Sequence, residues 1–159
     1  MAKDSQDSAG DLDPQALAEA AARAMWERDA ASQKLGMAIA EVRPGYARMT
    51  MTVRDDMVNG HAICHGGYIF TLADSAFAFA CNSHDVTTVA AHCEISFLAP
   101  ARLGDRLVAE AVERHRRGRS GIYDVTVHTE GGALIALFRG WSRSIGGSVR
   151  AGGMGAARG

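Results

Sequence analysis

The stretch Asn59-Gly60-His61-Ala62-Ile63-Cys64-His65-Gly66-Gly67-Tyr68-Ile69-Phe70-Thr71-Leu72-Ala73-Asp74-Ser75-Ala76-Phe77-Ala78-Phe79-Ala80-Cys81-Asn82 decides how this chain is read. Two glycines stand where a helix should begin, and the spacing predicts a helix from about His65 to Asn82. A single carboxylate, Asp74, interrupts its apolar run about two turns in. Phe70 and Thr71 lie one turn before it, Phe77 and Ala78 one turn after. Aspartate is a poor helix-interior residue and costly to bury, so an ordinary core helix rarely places one there. The first amides of a helix are unpaired and the aligned peptide dipoles favour negative charge beside them. Glycines leave that backbone open to a ligand. Amide donors and a carboxylate on one helix are the equipment for polarising a carbonyl and activating water. The plainer alternatives are a tight turn for Gly66-Gly67 and a solvent-facing position for Asp74. The flanking Phe70 and Phe77 weigh against the second.

Working outward, a loop from Arg54 to Cys64 precedes this helix. Before it, Leu35 to Arg43 and Tyr46 to Val53 read as strands joined at Pro44-Gly45. In the second strand Ala47, Met49, Met51 and Val53 alternate with polar partners. Asp13-Pro14 has the form of an N-cap followed by proline, opening an amphipathic helix predicted to run to about Lys34. After the central helix the period returns to two: Val89, Ala91, Cys93, Ile95 and Phe97 share one face. Further strands are predicted at 105–115, 121–130 and 133–144, with turns at Gly104-Asp105, Gly118 and Gly131-Gly132. The order is that of an α+β domain with a mainly antiparallel sheet, whose concave face only the central helix is apolar enough to cover. The expected boundaries are a disordered acidic N-terminus (1–12), one domain (13–146) and a flexible glycine-rich tail (147–159).

The 159 residues suit one domain with a real core. A net charge of -1 and a pI near 6.6 argue against nucleic acid as a general partner. The acidic N-terminus is no signal peptide, and the longest apolar stretches, such as Ala133 to Phe138, are too short to span a bilayer. Three cysteines without framework spacing fit a reducing cytoplasm, so a soluble cytoplasmic protein is expected. No metal is expected: His61, Cys64, His65, His92 and Cys93 match no zinc spacing, and His92 and Cys93 are successive in a strand. There is no Gly-x-Ser-x-Gly elbow, and the terminal glycines fail the dinucleotide pattern.

The run from Asn59 through His65-Gly66-Gly67 and Asp74 to Ser83, continued by Phe97-Leu98, Pro100, Gly104-Asp105, Tyr123-Asp124, Ala136 to Gly140 and Ile145 to Gly147, closely resembles the PaaI-type phenylacetyl-CoA thioesterases of the hotdog superfamily. The resemblance covers residues 24 to 147. It implies a hotdog fold, a long helix wrapped by a curved antiparallel sheet, here with an extra N-terminal helix. It also implies homodimers with sites at the subunit interface, commonly paired into tetramers. By this resemblance Asp74 is the catalytic carboxylate, acting as general base or as nucleophile, and the amides around Gly66 and Gly67 form the oxyanion hole. The implied activity is hydrolysis of an aromatic acyl-CoA, phenylacetyl-CoA or a hydroxylated relative, in phenylacetate degradation, with coenzyme A as part of the substrate and no separate cofactor. Some relatives carry asparagine where this chain has Arg28.

Other residues keep two readings. Asn59 and His65 match motif positions beside the site, but each also suits bracing of the loop. Thr71 either orients the nucleophile or bonds its own backbone. Arg116, Arg117 and Arg119, within the basic run 114–119 at a hairpin, either grip coenzyme A phosphates or form a solvated turn. Cys64 reads as a buried, inert thiol. Two competing functions remain: a hotdog acyl-CoA hydratase or dehydratase, which needs a histidine paired with a carboxylate, and a non-catalytic acyl-CoA-binding regulator.

Overall fold

A computed structural model describes residues 12–152. The acidic stretch before Leu12 and the tail after Gly152 lie outside the described residues. The elements are α1 (Pro14–Trp26), α2 (Ala30–Lys34), β1 (Ala38–Arg43), β2 (Tyr46–Thr52), α3 (Gly66–Cys81), β3 (Thr88–Phe97), β4 (Arg106–Arg117), β5 (Ser120–Thr129) and β6 (Leu134–Ser144), with a single 3-10 turn at Asp55–Met57. The six strands form one antiparallel sheet in the order β1-β2-β4-β5-β6-β3. This is the α+β hotdog arrangement, with α3 lying in the hollow of the sheet.

Helix α3 is apolar nearly all round, as a helix enclosed by a sheet must be. Ile69, Leu72, Ala73, Ala76, Phe77, Phe79 and Ala80 are buried against strands whose inward residues alternate. Those partners are Ala47, Met49 and Met51 on β2, Leu107, Ala109 and Ala111 on β4, and Tyr123, Val125 and Val127 on β5. Aromatic rings close the centre: Phe77 packs on Tyr123 at 5.4 Å and on Phe138 at 5.9 Å between centroids. Gly140 of β6 makes this possible. A Cβ there would stand 2.7 Å from Phe77 Cε1, so helix and strand approach more closely than any larger residue permits.

Three sequence expectations need correction. The predicted helix from 14 to 34 is two helices. The first ends at Trp26, and Asp29 begins the second by accepting the Ser32 N–H at 3.0 Å, a cap that competes with continuous helix. The first strand starts at Ala38 rather than Leu35, because the Leu35 N–H still bonds Ala31 O as the end of α2. The alternation in β3 is broken by a bulge between Ala90 and His92, so that Ala90 shares the face of Cys93 and Ile95 while Val89 takes that of His92 and Glu94.

A fourth difference concerns the chain end. Gly147 to Gly152, expected in a flexible tail, fold back onto the domain. Gly146 and Gly147 turn the backbone with φ of +83° and +85°. Val149 is then 5 % exposed. The anchor is Asp85, which accepts from the Arg150 N–H, Arg150 Nε and Ser148 Oγ, each at 2.9 Å. Arg28 adds a bond from Nη2 to Val149 O at 2.9 Å.

Candidate active site

Asp74 sits eight residues into α3, half-buried, with its carboxylate in a cleft of about 350 Å3. Met25 at the end of α1, Arg28 in the turn that follows, Phe77, Ala78 and Cys81 of α3 with its cap Asn82, and Thr87 to Ala90 entering β3 line it. Val149 and Gly152 of the returning chain end complete the wall. The Cys93 thiol on β3 donates to Asp74 Oδ1 at 3.9 Å. Burial pushes the Asp74 carboxyl above its ordinary value, and the thiol's hydrogen bond only partly opposes this. Beside it, Ser75 Oγ and the buried Ser32 Oγ lie 3.0 Å apart, pinning α2 to α3 next to the carboxylate.

The start of α3 is built by its loop. Asn59 Oδ1 accepts the His61 N–H at 2.9 Å and the Ile63 N–H at 3.4 Å, so its side chain braces the turn. His65 is the N-cap: Nδ1 accepts the Gly67 N–H at 3.0 Å, and its own N–H bonds Met57 O at 2.8 Å. Thr71 Oγ1 donates back to Gly67 O at 2.8 Å, the backbone-bonding alternative. Among the described residues the Gly66 N–H has no partner, whereas the Gly67 N–H is taken by His65. A Cβ on Gly66 would lie 2.9 Å from Phe97 Cζ, so the glycine keeps this amide accessible beside the ring. Gly66 and Asn59 border a second cleft, with Ile63, Cys64, Ile69 and Phe97 to Pro100.

Asp74 and Gly66 of one chain therefore face different clefts. Eight residues of helix separate them by roughly 12 Å along the axis, too far for one carbonyl to meet both. Arg116 and Arg119 border a third, small polar cleft with His84, Ser120, Ser142 and Ser144, and Arg117 is exposed at the end of β4. The first and third clefts share Cys81 and Thr88 as walls. Arg119 Nε donates to Ser144 O at 3.0 Å, and Arg116 reaches Glu113 at 3.7 Å. Cys64 is buried and burial pushes its thiol up to about 11, which leaves it a poor nucleophile. Three participants escaped sequence reasoning: Cys93, Arg28 as a clamp, and Val149. The period-two pattern put Cys93 on one face with Ile95 and Phe97, but no local signal points to Arg28 as a clamp or to Val149.

Residues 61–136 match the thioesterase superfamily. The acyl-coenzyme A thioesterase PaaI of Escherichia coli is 47 % identical over 128 residues, spanning 80 % of this chain and 91 % of that protein. The chain belongs to the thioesterase superfamily. The crystal structure of the PaaI protein from the E. coli phenylacetic acid degradation operon superposes on this thioesterase with a TM-score of 0.84 at 45 % identity, covering 86 % of this chain and 99 % of that one. A Streptococcus mutans protein solved with acetyl-CoA bound is more distant, with TM-score 0.68 and 26 % identity over 70 % of this chain and 90 % of its own. Among the described residues of the thioesterase no helix is long and apolar enough to cross a membrane.

Proposed function

We propose that this thioesterase hydrolyses aromatic acyl-CoA thioesters, phenylacetyl-CoA and its ring-hydroxylated forms, to the free acid and coenzyme A. The observation that carries the reading is the half-buried Asp74 in a cleft walled by Met25, Phe77, Ala78, Val89 and Val149. Its polar side chains are already engaged: Asn82 bonds Ala78 O and Thr88 O, Thr87 bonds Gly147 O, and Arg28 bonds Val149 O. Such a cleft suits an apolar acyl group rather than the amide-rich arm of coenzyme A. The likeness to PaaI of the phenylacetic acid degradation operon supports the aromatic choice.

Each site is assembled from two copies. The Gly66 N–H of one chain polarises the thioester carbonyl bound against Asp74 of the other, a donor worth roughly 3 kcal/mol in the transition state. Asp74 takes the proton of the attacking water, and the raised proton affinity of its carboxyl suits a general base. Collapse of the tetrahedral intermediate breaks the C–S bond, and the departing coenzyme A sulfur takes the proton from Asp74, which restores the carboxylate. The open edge of β3, with Phe97 and Leu98 more than half exposed, is the surface that a second copy would cover. Dimers pairing again into tetramers would leave this arrangement intact. Gly67, His65 and Asn59 shape the donor loop, and Thr71 steadies its first turn. Arg116, Arg117 and Arg119 supply positive charge for coenzyme A phosphates. Three unpaired cysteines fit a cytoplasmic location.

A hydratase would need an imidazole beside the carboxylate, and the group that bonds Asp74 is a thiol. The reading is tested by following thiol release from phenylacetyl-CoA and from straight-chain acyl-CoAs. Higher kcat/KM for phenylacetyl-CoA is the expected result, and a wide preference for straight chains would remove the aromatic assignment.

A further inference from the structure

The chain end from Ile145 to Gly152 is held by an unusual density of bonds for a glycine-rich segment. Thr87 holds it twice through the backbone, its N–H donating to Gly147 O and its carbonyl accepting the Ile145 N–H, both at 2.9 Å. Asp85, itself at φ +58°, holds Ser148 and Arg150, and Arg28 reaches over to Val149 O. Of the strap's apolar side chains Val149 alone is buried, and it lines the same cleft as Asp74, whereas Ile145 is exposed. Fixing the backbone of half a dozen residues costs conformational entropy, and bonds from two separate segments, Arg28 between α1 and α2 and Asp85 to Thr87 between α3 and β3, offset it.

We infer that the strap Ile145–Gly152 is the end wall of the acyl half of the cleft, that Val149 facing Met25 sets the length of acyl group admitted, and that Asp85 and Arg28 act as positioning residues for that wall. The inference rests on the thioesterase reading above. Asp74 marks the reacting carbon, and Met25 and Val149 line the same cleft from two chain segments that Arg28 ties together. A group too long for this space must displace the strap against its bonds.

The test is the ratio of kcat/KM for 4-phenylbutanoyl-CoA to that for phenylacetyl-CoA, in the wild type, Val149→Ala, Val149→Trp and Asp85→Gly. Glycine keeps the left-handed backbone at position 85 while deleting every side-chain bond to the strap. Val149→Ala and Asp85→Gly should raise the ratio about tenfold or more, the scale on which one methylene is discriminated in a hydrophobic pocket. Val149→Trp should lower it, with the loss falling on KM of the longer substrate. A folded Val149→Ala and Val149→Trp pair with the wild-type ratio would overturn the inference even if Asp85→Gly fails to fold. A wild type that hydrolyses neither ester would overturn the inference together with the reading beneath it, whereas turnover with unmoved ratios overturns the wall alone.

Discussion

The Cys93 sulfur on β3 stands 3.9 Å from Oδ1 of Asp74 on α3, so the open edge of the sheet and the central helix meet at the carboxylate itself. Burial raises the Asp74 carboxyl and the thiol's donation works against it. Removing the donor in Cys93→Ala should therefore move the acid limb of the kcat/KM–pH profile to higher pH. Cys93→Ser, which restores a stronger donor, should bring it back. A limb that stays put in both variants would show that the thiol does not act on Asp74.

Asp74 is expected to cost stability. A carboxyl whose proton affinity is raised on folding is penalised as pH rises through its ordinary value of 3.8 and beyond, because the native state then holds a desolvated charge. Asp74→Asn should thus melt no lower than the wild type at neutral pH, and higher if the cleft stays closed. Hydrolysis should fall by about 10²–10⁴, the range for loss of a general base. Differential scanning calorimetry beside thiol release measures both.

Glu113 behaves in the opposite way. Burial alone would raise it, but Tyr123 Oη at 2.6 Å, His84 Nε2 at 2.8 Å and Arg116 outweigh this and hold it below the ordinary carboxyl value of 4.5. The stabilisation is full above 4.5 and is lost as pH falls through that value and below. Glu113→Gln should cost about 1.5 kcal/mol at pH 7, the low end for bonds to a charged group since the site is partly exposed. Its urea midpoint should converge on that of the wild type in acid.

Gly140→Ala probes the seat of the catalytic helix. The added Cβ would stand within 3 Å of three atoms of the buried Phe77 ring. Overpacking of this kind costs about 1–3 kcal/mol. Because Phe77 is one turn from Asp74 and lines the same cleft, kcat should fall as well. A variant of unchanged melting temperature would contradict the close approach.

The parts of this architecture legible in the sequence are local ones. Gly66-Gly67 before an apolar run marks a helix start because backbone freedom and periodicity act over a few residues, and Asp74 stands out against that periodicity. Asp29 shows why the first helix was read too long: a cap residue inside an amphipathic pattern is invisible until its side chain is seen bonding Ser32. Long-range relations were hidden. The bond between Arg28 and Val149, 121 residues apart, and the approach of Cys93 to Asp74 depend on how strands and helices dock. The glycine-rich chain end has the composition of a linker, and only its bonds to Asp85 reveal a wall.

The most direct test of a site shared between two copies is complementation. Asp74→Asn removes the base, and Gly66→Pro removes the amide donor while suiting the first position of a helix, where proline is tolerated. His65, at φ -60° and ψ 130°, already has the backbone that precedes proline, and the half-exposed Phe97 ring can swing away from the added atoms. Each variant alone should hydrolyse phenylacetyl-CoA poorly. Co-expressed, they should recover about a quarter of wild-type activity, since half of the random two-fold dimers are mixed and each then has one intact site. No recovery from a mixed dimer of confirmed composition would mean that Asp74 and Gly66 act within one chain, and would contradict the account.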